Sequence, residues 1–259
     1  MSRTTATQVA TLARRSIVRT LRQPAMVVPA LLFPTLLLAV NSGGLDSATR
    51  LPNFPTDSYV TFALAITFVQ GAIFAANSAG TNVANDIETG FLNRLSLTPL
   101  RGAALLAGQL AGAVALGLLQ AVTFLSVGLV AGAGLKAGVG GALVIVVLAV
   151  LIALAFGSIG ALTALRTGSG EAVQGIFPLL FAALFLSSLT LPRDLIQTDW
   201  FRTIATWNPV SYMLEAIRSL LITGWDAEAL ALGFAAAGGI VIVAVALAAA
   251  ALRTRLVRT

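Results

Sequence analysis

The chain has 259 residues, 58% of them hydrophobic and 10% charged, with a net charge of +6 and neither cysteine nor histidine. A soluble domain of this size carries about a quarter charged residues, so this sequence could not cover its own surface in water, and a membrane protein is the class that fits. Disulfides and thiolate metal sites are excluded, and the commonest metal ligand and general base is missing. The basic excess does not point to nucleic acid, because the cations sit in short flanks between long apolar runs, where they orient a membrane protein.

Residues 4–22 read as a helix with Val9, Leu12, Ile17, Val18 and Leu21 apolar and Arg14, Arg15, Arg19 and Arg22 basic. Such a helix lies at a membrane interface with its cations near anionic head groups. Six charge-free stretches then follow at 25–41, 58–82, 103–131, 139–165, 172–191 and 229–252. Each approaches or exceeds the ~20 apolar residues that cross a bilayer as a helix. Their apolar character is continuous rather than alternating, which excludes barrel strands. The first is expected to be retained rather than cleaved as a signal peptide, since Pro24, Pro29 and Pro34 interrupt it and Asn41-Ser42-Gly43-Gly44 is a poor cleavage site.

The predicted fold is therefore an all-α membrane protein. It has an interfacial segment (1–24) and a six-helix transmembrane domain (25–259). The linkers on the side of the termini carry eleven basic and three acidic residues, and the other side five and seven. The positive-inside rule places both termini in the cytoplasm.

Two linkers are unusual. Residues 83–107 combine Asp86 and Glu88 with a break at Gly90, an apolar side of Leu92, Leu95 and Leu97, and a helix start at Thr98-Pro99. A short, charged, partly apolar element of this kind suits docking against a soluble partner; a solvated hairpin is the alternative. On the other side, Pro192–Trp207 carries mixed charges with Trp200, Phe201 and Trp207, aromatics favoured at interfaces. Asn208-Pro209 begins a helix of about 14 residues, too short to span, that stops at Gly224. Glu215 and Arg218 sit at i, i+3 on one side, where they can pair. The segment reads as a re-entrant lid over a path, or as a passive outer cap.

Within the spans, Gln70, Asn77, Thr81 and Asn85 share one helical face, Gln120 lies mid-span, and Gln174 lies near a span end. They mark either a polar stripe along a substrate path or interhelical hydrogen bonds. Gly108/Gly112 and Gly128/Gly132 form small-xxx-small pairs, a weak signal in a glycine-rich chain. No span holds a carboxylate or a basic residue, which argues against a proton relay and against a rhomboid-like or metal-dependent intramembrane enzyme. No Gly-x-x-x-x-Gly-Lys-Ser/Thr phosphate loop occurs, so an ATP-driven process would need a nucleotide site on another polypeptide.

Glu88, Gly90, Leu92, Arg94, Leu95, Thr98, Pro99 and Arg101, together with Asn208, Pro209, Tyr212, Glu215 and Arg218, resemble two motifs of the type-2 ATP-binding-cassette (ABC) exporter permeases. The similarity is greatest to the daunorubicin-resistance-like drug and lipid branch. It covers nearly the whole chain. One departure is Ile87, where that family often has a charged residue. The resemblance implies a permease that dimerises with an identical or homologous half in a bacterial cell membrane and docks on an ABC ATPase. Cofactors would then be absent from this chain, with ATP and Mg on the ATPase. It implies a coupling element of Glu88, Gly90 and Arg94 with Arg14 and Arg15 on the interfacial helix. Asn208, Pro209, Tyr212, Glu215 and Arg218 would form an outer gate, with Gln70, Asn77, Thr81 and Gln120 along the path. Three other readings stay open: export of a lipid-linked polysaccharide, a membrane-embedded lipid-modifying enzyme, and a structural assembly subunit.

Overall fold

The computed structural model describes residues 3–96 and 102–258. The predicted helix start at Thr98-Pro99, and Arg101, lie outside the described residues. Every regular element among the described residues is helical. The order is α1 (Arg3–Leu21), α2 (Pro24–Gly44), α3 (Tyr59–Glu88), a short α4 (Phe91–Ser96), α5 (Gly102–Val130), α6 (Gly138–Thr167) and α7 (Gly170–Phe185). Two short helices, α8 (Asp199–Trp207) and α9 (Pro209–Arg218), lead into α10 (Ala227–Arg258).

Five of these, α2, α3, α5, α6 and α10, are long and apolar enough to cross a membrane. Three of the predicted boundaries move. α3 runs six residues past its expected end at 82, which puts Asp86 and Glu88 on its last turn rather than in a linker. α10 likewise continues past 252 to Arg258. The expected span over 172–191 is instead a helix of 16 residues, α7, about 24 Å long and short of the ~30 Å hydrocarbon core. It stops because the next stretch is bonded elsewhere. Ser188 N–H donates to Ser211 Oγ on α9, and the carbonyls of Ser188 and Leu189 accept from Arg218. A backbone whose polar groups find partners on another helix gains nothing by continuing its own.

α3 is the central element, packed against α2, α5, α6, α7 and α9 and buried on nearly every side. Its seam with α6 is closed by small residues. A Cβ on Gly160 would lie 1.9 Å from the Ala76 carbonyl oxygen, and one on Gly80 would lie 2.8 Å from that of Gly160. Backbones this close exchange side-chain bulk for van der Waals contact along the helices, the packing expected where lipid supplies no hydrophobic drive. Two apolar clusters flank the seam. One gathers Phe62, Ile73, Phe124, Ile152 and Met213 toward the α9 end. The other gathers Val83, Leu92, Leu110, Leu165 and Leu252 toward the α1 end.

Candidate functional site

At the α1 end the polar groups meet around Asp86, which is only 2% exposed. Its carboxylate accepts from both terminal nitrogens of Arg15 at 2.9 and 3.0 Å, from Arg19 at 2.6 Å and from the Gln109 amide at 2.7 Å. Burying a carboxylate is costly unless it is paired and fully hydrogen-bonded, and both conditions are met here. The hydrogen bonds to Asp86 raise the pKa of Arg15 above the ordinary guanidinium value, while its partial burial acts in the opposite sense. Arg15 also stacks on Phe91 of α4, its guanidinium carbon 3.8 Å from the ring centre. One side chain of α1 thus touches both the end of α3 and the element that follows it.

The approach of α1 depends on α5. Ser16 Oγ donates to the Gln109 carbonyl and accepts from Gly112 N–H. A Cβ on Gly108 would lie 2.4 Å from that of Leu12, and one on Gly112 would lie 2.5 Å from Thr20 Oγ1. The small-xxx-small pair that is weak as a sequence signal is therefore the seat of α1. α1 is not an isolated surface helix; it is docked on the bundle by side chains and backbone alike.

The coupling residues expected from sequence divide between two settings. Arg15 is in the cluster. Glu88 is exposed and makes no ion pair among the described residues. Arg14 is exposed as well, and Arg94 donates to the nearby Thr89 carbonyl at 3.2 Å. Gly90, at φ +68°, turns the chain between α3 and α4, a conformation that other residues adopt at a cost. Asp86, Arg19 and Gln109 are absent from the sequence-derived set. The spacing of Arg15 and Arg19, one turn apart on the face that carries Ser16 and Thr20, was the available signal.

At the other end, Asn208 caps α9 by accepting from Val210 N–H, and its amide donates to the carbonyls of Ala183 and Leu186 at the end of α7. Pro209 occupies the first turn, where its missing N–H costs nothing. Tyr212 donates its hydroxyl to the Thr206 carbonyl at 2.8 Å. The pairing that this spacing allows between Glu215 and Arg218 is not formed. Glu215 accepts two hydrogen bonds from Arg193, whose guanidinium also lies 4.5 Å from the Tyr212 ring centre. Burial disfavours the charge on Arg193, yet its bonds and attraction to Glu215 leave its pKa above the ordinary value. Arg193 lies 22 residues from Glu215 in sequence, so no local spacing could have paired them. Arg218 turns inward instead. It is 6% exposed, donates to the carbonyls of Phe62, Ser188 and Leu189, and sits 3.6 Å from the centre of the Phe62 ring.

The polar span residues also separate. Gln120 donates to the carbonyls of Ala30 and Gly71, so it ties α5 to α2 and α3. Gln70 is buried inside the bundle, its side-chain oxygen without a partner among the described residues. Asn77 and Thr81 lie on the one stripe of α3, with Phe74 and Asn85, that is not fully covered. The stripe opens between α2 and α7. There Phe74 meets Phe33 and Phe177 at ring-centre distances of 5.8 and 5.3 Å, and Phe181 and Phe185 extend the aromatic row.

Comparison with known proteins agrees with this architecture. The daunorubicin resistance ABC transporter permease protein DrrB1 of Streptomyces coeruleorubidus is 28% identical over 172 residues, covering 64% of this chain and 59% of the relative. The chain thus spans less than two thirds of that protein's length. The family model described as ABC-2 type transporter matches residues 7–222, from the first helix through the turn after α9. A multi-pass helical membrane protein matched over that range belongs to the ABC-2 type transporter family.

Proposed function

We propose that this chain is the membrane-spanning permease subunit of an ATP-driven exporter in a bacterial cell membrane, its termini cytoplasmic. It would be powered by a separate ABC ATPase and paired with a second permease half, identical or homologous. ATP and Mg are bound by the ATPase, and none of this chain's residues is assigned to them. The observation that carries the reading is Arg15, which holds α1, the end of α3 and α4 together in one contact set. Force applied by a partner to α4 or to the exposed residues Glu88, Arg94 and Arg14 passes through this cluster into α3, the central helix. The far end of α3 bears on Arg218, since the Phe62 carbonyl is one of that side chain's acceptors. Asn208, Pro209, Tyr212, Glu215 and Arg218 then serve as an outer gate whose position answers to α3.

The cargo is assigned to a hydrophobic drug-like or lipidic class. The partly covered stripe of α3 carries Asn77 and Thr81, whose side-chain oxygens are buried without a partner among the described residues, beside phenylalanines, whose rings lack the polar tips of tyrosine and tryptophan. Such a wall favours an apolar cargo with few hydrogen-bonding groups over a polysaccharide. Gln120, already bonded across helices, contributes rigidity and no cargo contact.

The test is coupling. Glu88→Lys, at an exposed position, is expected to change stability by less than ~0.5 kcal/mol while abolishing drug export by cells that express the chain with its ATPase. ATP hydrolysis by the co-purified complex would persist without export. Export at the wild-type rate with Glu88→Lys, or failure to recover any ATPase with the chain from native membranes, would overturn the reading.

A further inference from the structure

α5 carries two neighbouring stripes of small residues. Gly108 and Gly112 seat α1, as described above. Beside them Ala107, Ala111 and Ala115 recur at i, i+4 and i+8, exposed or half-buried rather than covered. They floor a groove of about 630 Å³, walled by Val9, Ala13 and Ile17 of α1 on one side and by Val245 and Ala249 of α10 on the other. Leu106 and Leu118 mark its extent along α5, about 18 Å at 1.5 Å per residue. No residue that lines it carries a polar side chain.

The α10 wall says what fills this groove. One turn beyond Ala249 on the same side of α10 stands Arg253, which is exposed and forms no ion pair among the described residues. Leu252 lies against Gly102, the first residue of α5, which puts Arg253 at the Leu106 end of the groove. A groove apolar along its whole length and basic at one end matches a molecule with an alkyl chain and an anionic head. A partner helix is about 10 Å across with its side chains, so one seated over the same length would need roughly twice the volume. A soluble anion would use the arginine and leave the apolar walls bare.

We propose that the groove binds an anionic phospholipid, one acyl chain on the alanine floor and the phosphate at Arg253. Basic residues beside membrane helices hold anionic head groups in this way. The bound lipid ties α1 to α10 along a stripe of α1 separate from Arg15 and Arg19, so it does not compete with the contacts of Asp86. The proposal rests on the chain being in a membrane and not on its cargo or its ATPase, so it stands if the export reading fails.

The experiment titrates the intact chain, purified in nonionic detergent, with dioleoyl phosphatidylglycerol or dioleoyl phosphatidylcholine and counts retained lipid by native mass spectrometry. Phosphatidylglycerol is expected to be retained at concentrations where phosphatidylcholine is not. Ala111→Phe fills the floor with its own ring and should abolish that retention. Ala107→Phe does the same at an exposed position, and decides the matter if Ala111→Phe melts early in detergent. Arg253→Gln should weaken phosphatidylglycerol about fivefold, the value of one cation near an anionic head group, and leave phosphatidylcholine unchanged. Ala250→Phe, on the other exposed side of α10, and Arg166→Gln, at the end of α6, lie outside the groove and should change nothing. Equal retention of the two lipids would overturn the proposal, as would wild-type retention in folded Ala107→Phe or equal losses from Arg253→Gln and Arg166→Gln. A dimer that Ala107→Phe converts to monomer with its lipid unaffected would also overturn it, by giving the groove to a second copy of the chain.

Discussion

Asp86 and Arg218 are both buried charges, one near each end of α3, and the protein satisfies them in opposite ways. Asp86 is met by side chains: two arginines from α1 and an amide from α5. Arg218 is met by backbone: carbonyls of α3 and of the segment after α7, with an aromatic ring beneath. The first arrangement can open. Arg15 and Arg19 are 38% and 20% exposed at their side chains, so released from Asp86 they can turn to water. In the second, withdrawing Arg218 would leave the carbonyls of Ser188 and Leu189 without that donor, so Arg218 is expected to move only together with the segment it holds. One end of α3 is thus held by ions within reach of solvent, and the other by backbone carbonyls.

The largest effect is expected from Arg218→Met, which leaves the carbonyls of Ser188 and Leu189 unpaired at about 1–3 kcal/mol each. The purified chain should melt well below wild type in detergent, and Arg218→Lys should recover part of the loss. If Arg218→Met melted like the wild type, the contrast between the ends would disappear. Asp86→Ala should cost less, about 1–3 kcal/mol, and in one place. α1 should become open to trypsin at Arg14 and Arg22 while the rest of the bundle stays resistant. Protection of α1 in this variant would mean that its seat on Gly108 and Gly112 suffices alone. The smallest effect on stability is expected from Glu215→Gln, because Glu215 and Arg193 are 25% and 24% exposed, and such pairs contribute about 1 kcal/mol or less. Its export rate should nonetheless fall with the complex intact; normal export would make the outer segment a passive cap.

The membrane class, the helical fold and the short helix behind Asn208-Pro209 were legible in the sequence because each rests on local pattern: apolar run length, proline at a first turn, glycine at a stop. The cluster at Asp86 was legible only in halves. The i, i+4 arginines were visible, but Asp86 looked like a linker residue until α3 proved to run through it. Arg218 shows the same limit. Spacing within one helix offered Glu215 as its partner, whereas folding offered carbonyls 29 and 30 residues away. The helix of the fifth predicted stretch ends early because Ser188 and Leu189 bond their polar groups to α9, and hydrophobic content does not report where a carbonyl bonds. What sequence spacing could see was confined to single helices.

The place where α6 crosses α3 at Gly160 has a last implication. With room there for hydrogen and nothing larger, no guest of any size can slip between those two rods, and they cannot slide along each other without a collision at Ala76. A single methyl group at position 160 would act as a wedge there, altering shape rather than blocking a route.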